Sequence, residues 1–135
     1  MKRVVLSLVL MSLTCAPVCA DAPERLRVSV IQLVANPERY TGKPVFVTGF
    51  LTIALENDSL CATPVVASSS DCIWVQYDDG PYNDEKDKAR FDAATKKWAA
   101  LSKKRVSIKA TFNQKNTGHL GGSPGALERI TEVLE

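Results

Sequence analysis

The chain contains one histidine, His119, in 135 residues. A zinc centre or a histidine-based triad needs more ligands or a partner at recognisable spacing, and none is visible in the sequence. There is no Cys-x-x-Cys pair, which removes the thioredoxin-like redox site. No glycine-rich stretch ends in Lys-Ser or Lys-Thr, which removes the P-loop. Charge of one sign is also missing. Seventeen basic residues face fifteen acidic ones for a net charge of +2, which excludes a strongly basic nucleic-acid clamp. With 45% hydrophobic and 24% charged residues, the collagen-like, low-complexity and disordered classes fall away as well. One domain's worth of chain remains.

Long apolar runs are absent except at the start. Lys2 and Arg3 precede the run from Val4 to Leu13, and Val18-Cys19-Ala20 supplies small or apolar residues for cleavage after Ala20. That pattern is a signal peptide over residues 1–20, because the run is too short to span a bilayer comfortably. Cys15 follows Thr14 and Cys19 follows Val18, so neither suits lipid attachment. The expectation is a soluble periplasmic or secreted product, residues 21–135, with no transmembrane segment. Removing residues 1–20 leaves fifteen basic and fifteen acidic side chains and two cysteines, Cys61 and Cys72. An even pair in an oxidising compartment reads as one disulfide, stabilising the fold by about 3 kcal/mol.

The order of elements follows from periodicity. Residues 21–27 form a polar lead-in, and Ser29 caps a short helix that ends before Pro37. Residues 36–44 are dense in turn formers. Val45 to Leu55 is the strongest strand, with Val45, Val47, Gly49, Leu51 and Ile53 on one face. Gly49 in mid-strand suggests a bulge or sharp bend. Shorter strands are expected at 59–62 and 72–77. A helix then runs over about 83–101, carrying the stripe Phe91, Ala94, Trp98 and Leu101. Val106, Ile108, Ala110 and Phe112 alternate as a fourth strand, and 126–134 forms a fifth. The expected fold is mainly β: a five-stranded, antiparallel, OB-like barrel with a helix between the third and fourth strands. A two-layer α+β sheet is the competitor.

The segment from Asn36-Pro37 through Tyr40, Gly42-Lys43 and the strand reaching Gly49 resembles the opening of small exported bacterial OB-fold proteins. Gly118-His119-Leu120-Gly121-Gly122 resembles a second recurrent feature of those sequences. With Ile73-Trp74-Val75, the likeness extends over most of residues 28–134. It implies an OB-like barrel in the cell envelope and transfers no catalytic residue.

Among individual residues, His119 reads first as structural or solvent-exposed, then as a ligand contact, and last as a base or metal ligand. Between Asp92 and Glu128 the chain has no acidic residue but seven basic ones, including Lys103, Lys104 and Arg105. A solvated helix end and strand edge is the first reading of that run, and a face for an anionic partner the second. Trp74, Tyr77 and Tyr82 suit either core packing or a stacking face. The carboxylates at 78, 79, 84, 85 and 87 lack calcium-loop spacing. The functional expectation is a non-enzymatic binding module without cofactor or metal, using Trp74, Tyr77, Lys103, Lys104, Arg105 and His119. Its partner would be a small molecule, an oligosaccharide or an envelope protein, with nucleic acid the least favoured. The alternatives are a structural or stress-related envelope accessory protein and, behind it, a hydrolase using His119.

Overall fold

Alternation of apolar and polar side chains dictates the long central strand. In the computed structural model, which describes residues 24–65 and 68–135, β2 (Pro44–Ala54) buries Val45, Val47, Gly49 and Leu51 and turns Phe46, Thr48 and Phe50 outward. The leader expected at 1–20, with Cys15 and Cys19, lies outside the described residues. A turn at Leu55 and Glu56 returns the chain as β3 (Asn57–Cys61), and a further loop leads into β4 (Cys72–Val75). β5 (Arg105–Asn113) buries Val106, Ile108, Ala110 and Phe112 in strict alternation. β6 (Ala126–Leu134) completes the set.

The register joins these strands into a ring. β2 pairs with β3, β3 with β4, β4 with β6, β6 with β5, and β5 returns to β2. The protein is therefore mainly β, one sheet whose strands close on themselves around the buried faces. The expectation of a purely antiparallel arrangement is corrected at one closure, because β4 and β6 run parallel. A parallel neighbour requires a crossover connection, and the helix and β5 between them provide it.

A sixth strand also appears where a polar lead-in was expected. β1 (Leu26–Ser29) pairs parallel with Val45–Thr48 of β2. It is only four residues long, Leu26-Arg27-Val28-Ser29, and mostly exposed, so its brief alternation is too short to mark a strand, although Val28 packs against the core. Ser29 then caps α1 (Val30–Ala35) through a capping box with Gln32, which directs Val30 and Leu33 into the core. The turn-former segment contains a single helical turn, α2 (Pro37–Tyr40), where Pro37 occupies the tolerant first position.

Gly49 creates no bulge, since the β2–β5 register runs unbroken through the pair Gly49 and Val106. Its role is close approach. A Cβ at this position would lie 2.7 Å from the Cys61 carbonyl oxygen and 2.8 Å from Leu60. The irregularity falls instead in β6, where the register shifts between the partners Lys109 and Thr111, and Arg129 takes a φ of 47°. That shift explains how Leu127, Ile130 and Val133, spaced by three, all meet the core.

The long helix is α3 (Glu85–Ala99). Asp84 caps it by accepting from the backbone amides of Lys86 and Asp87, and Lys96 and Lys97 lie in its last turn. Trp98 is buried and Phe91 and Ala94 are half-buried, so the apolar stripe faces inward as its spacing predicted. Cys61 and Cys72 are opposite one another in the β3–β4 ladder and form the disulfide. Among the described residues no helix is long and apolar enough to cross a membrane.

Candidate functional site

Four separate stretches of chain converge at one end of the ring. The β2–β3 hairpin contributes Glu56 and Asp58, β4 contributes Trp74, and the segment following it contributes Gln76, Tyr77 and Asp78. Tyr82 and Phe91 come from the approach to α3 and its second turn. Asn116, Gly118 and His119 come from the β5–β6 loop. Together they enclose a groove of about 460 Å³.

Each wall is held from behind. Alternation along β4 buries Ile73 and Val75 and leaves Trp74 half-exposed on the outer face. Its indole Nε1 donates to Gln76 Oε1 at 3.2 Å, and Gln76 Nε2 donates to the Asp78 carbonyl. The indole packs on Gly118, whose backbone has a φ of 78°, and a Cβ there would sit 2.8 Å from the ring. Tyr77 stacks between Phe91 and Trp98, with centroids 6.5 and 5.6 Å away, and its hydroxyl bonds Thr95 Oγ1. Tyr82 meets Phe91 edge to face at 5.3 Å. Asn116 Nδ2 donates to Glu128, while its Oδ1 accepts from the Gly118 amide.

The charged groups are arranged unequally. The Asp78 side chain is only 8% exposed. Its Oδ1 accepts from the Gly80 amide at 2.9 Å and from Arg90 at 3.1 Å, whereas its buried Oδ2 has no partner among the described residues. His119 Nε2 lies 3.7 Å from Glu56 Oε1, and both side chains are more than half exposed. Glu56 holds a φ of 58°, the left-handed region that a residue with a Cβ rarely adopts. Burial pushes the Asp58 carboxyl above its ordinary value, outweighing a backbone hydrogen bond at Ala54 that favours the charged form. The Tyr82 phenol is also held high, by partial burial first and by the Asp78 charge second, with Arg90 opposing.

The Asp58 shift has a consequence for stability. A carboxyl with a raised folded-state value binds its proton more tightly when folded than when unfolded. Stability is therefore lost as pH rises from the ordinary value of 3.8 through the folded one, and the deficit persists at neutral pH. Asp58→Asn is expected to raise the urea midpoint at pH 7 and to lose that advantage near pH 4. Denaturation curves at both pH values would check it, and an equal effect at both would contradict the cause assigned.

Of the residues selected from the sequence, the structure gathers Trp74, Tyr77 and His119 at the groove. Lys103, Lys104 and Arg105 do not line it. They lead into β5 beside β2, where the Lys103 amide bonds the Leu51 carbonyl and Lys104 Nζ pairs with Glu135 at 2.7 Å. Lys109 is paired with Glu132. Glu56, Asp58, Gln76 and Asn116 carry no site signal in the sequence, and Asp78 stands out there only within a run of carboxylates that lacks calcium-loop spacing. Among the described residues no three His, Cys, Asp or Glu side chains gather so as to hold a metal ion. Comparison of the chain with protein-family models, with curated proteins and with solved structures found no match.

Proposed function

We propose that this protein is an exported binding module built on an OB-like barrel, and that the groove at Trp74 is its ligand site. The observation that carries this reading is the position of the groove. OB-folds bind ligands on the face of their second and third strands, between the loop joining strands one and two and the loop joining strands four and five. Setting aside the short edge strand β1, the groove occupies that place: β3 and β4 supply Asp58 and Trp74, the β2–β3 turn supplies Glu56, and the β5–β6 loop supplies Asn116 and His119. The strand order around the ring and the helix between β4 and β5 agree with the same fold. The disulfide, the opening segment and the resemblance to small exported bacterial OB-fold proteins support a periplasmic or secreted location.

Catalysis is the weaker reading. His119 and Glu56 stand in solvent rather than in the dry, shaped site that makes a base or an oxyanion donor effective. An envelope accessory protein without a small ligand remains the main rival, and a ligand screen separates the two. In a thermal-shift panel of neutral, anionic and cationic small molecules, a true ligand at a hundred times its Kd should add about 2.7 kcal/mol of stability. Trp74→Ala is expected to abolish that shift while leaving cooperative unfolding intact. A panel with no shift from a folded protein would favour the accessory role.

A further inference from the structure

The groove carries more negative than positive side chains. Trp74 Nε1 is bonded within the protein, as is one hydrogen each of Gln76 Nε2 and Asn116 Nδ2, and the Tyr77 hydroxyl shares a bond with Thr95. Three carboxylates, on Glu56, Asp58 and Asp78, line it, and among the described residues the only basic side chain lining the same space is His119. From this imbalance, and resting on the binding reading above, we propose that the ligand is a small organic cation, with a primary ammonium or guanidinium group on an apolar body.

Two further observations point the same way. Asp78, which lines the groove, keeps a buried oxygen without a partner among the described residues, and the cation it meets, Arg90, also bonds Asp87 and the Pro81 carbonyl. Buried carboxylate oxygens gain most from a charge-assisted donor, which is what an ammonium or guanidinium supplies. Second, Trp74, Tyr82 and Phe91 border the same space, and aromatic rings attract cations while tolerating an apolar stem. A volume of about 460 Å³ suits a small molecule. An anion would meet three carboxylates, and a neutral sugar would leave their charge uncompensated.

The test is titration of the oxidised protein with agmatine and 1,5-diaminopentane, read by calorimetry and tryptophan emission at near-physiological salt. The neutral comparator is 1,5-pentanediol, the anionic one is glutarate, a neutral disaccharide stands for glycans, and an Arg-Lys-Arg tripeptide stands for basic peptides. Saturable binding of an amine is expected, weakened about tenfold in Glu56→Gln and in Asp58→Asn, with the diol and glutarate silent. The Asp58→Asn protein should be at least as stable as the parent at neutral pH, so weakened binding would not reflect misfolding. If the disaccharide or glutarate binds in a Trp74-dependent way and the amines do not, the binding module stands and the cationic ligand is overturned. Binding of the tripeptide alone would overturn the small-molecule form in favour of a peptide partner. No binding by any probe would remove both the cation and the ligand site.

Discussion

Replacing Cys61 and Cys72 together with alanine is expected to lower the unfolding free energy by about 4 kcal/mol, roughly 3 of it from the lost cross-link. The two cysteines are separated by 11 positions, and closing a loop of that length removes conformations mainly from the unfolded chain. Both sulfurs are buried, so their removal also leaves space at the β3–β4 ladder, at about 1 kcal/mol. The site is coupled to the same ladder. Asp58 lies three residues before Cys61 and Trp74 two after Cys72, with Ser59 opposite Trp74 in register. Urea denaturation of parent and variant, each with and without reductant, gives the number. The reduced parent should fall close to the variant, and the variant should not respond to reductant. A loss below about 1 kcal/mol would mean that the ladder holds this edge without the cross-link.

Much of this architecture is written in short-range pattern. Alternation exposes β2 and β5 because one face of each is buried and the other is not. Ser29 and Asp84 mark helix starts because their side chains satisfy amides the helix leaves unpaired. What escaped has the opposite character. β1 is a four-residue strand at a sheet edge, and two apolar residues, Leu26 and Val28, are too few to show a period. The meaning of Gly49 depends on Cys61 and Leu60, which reach it only after β3 folds back. The parallel closure of β4 on β6 links residues about fifty positions apart.

The site was legible in the same uneven way. Trp74 and Tyr77 were conspicuous as aromatics near a strand end, and His119 as the sole imidazole. Glu56, Asp58 and Asp78 are ordinary turn residues until the hairpin, the end of β4 and the β5–β6 loop are brought together. Within the acid-free stretch, sequence distance hides which lysines meet acidic partners. Lys104 and Lys109 are matched by acidic residues at the far end of β6, beyond the acid-free stretch.

Gly118→Ala should damage both stability and the groove, through two separable effects. The first is torsional, since a φ of 78° costs a residue with a Cβ roughly 1–2 kcal/mol. The second is steric. The new methyl would sit 2.8 Å from Cδ2 and Cε3 of the Trp74 indole, close enough that the ring must move. The ring is not free to do so without losing its bond to Gln76, and over-packing of this kind adds roughly 2 kcal/mol. Gly121→Ala supplies the torsional control: its φ is 67°, but the nearest atom, Thr117 Oγ1, is 3.6 Å away. Gly121→Ala should therefore cost about 1 kcal/mol and leave tryptophan emission and ligand binding unchanged. Gly118→Ala should cost about 3 kcal/mol, shift the emission of the half-exposed Trp74 while buried Trp98 is undisturbed, and abolish binding. A double-mutant cycle with Trp74→Ala isolates the contact. Removing the indole should recover about 1–2 kcal/mol of the Gly118→Ala loss, because only the torsional part survives. Additive losses would mean that the loop moves away from the new methyl, and that Gly118 is required for its backbone alone.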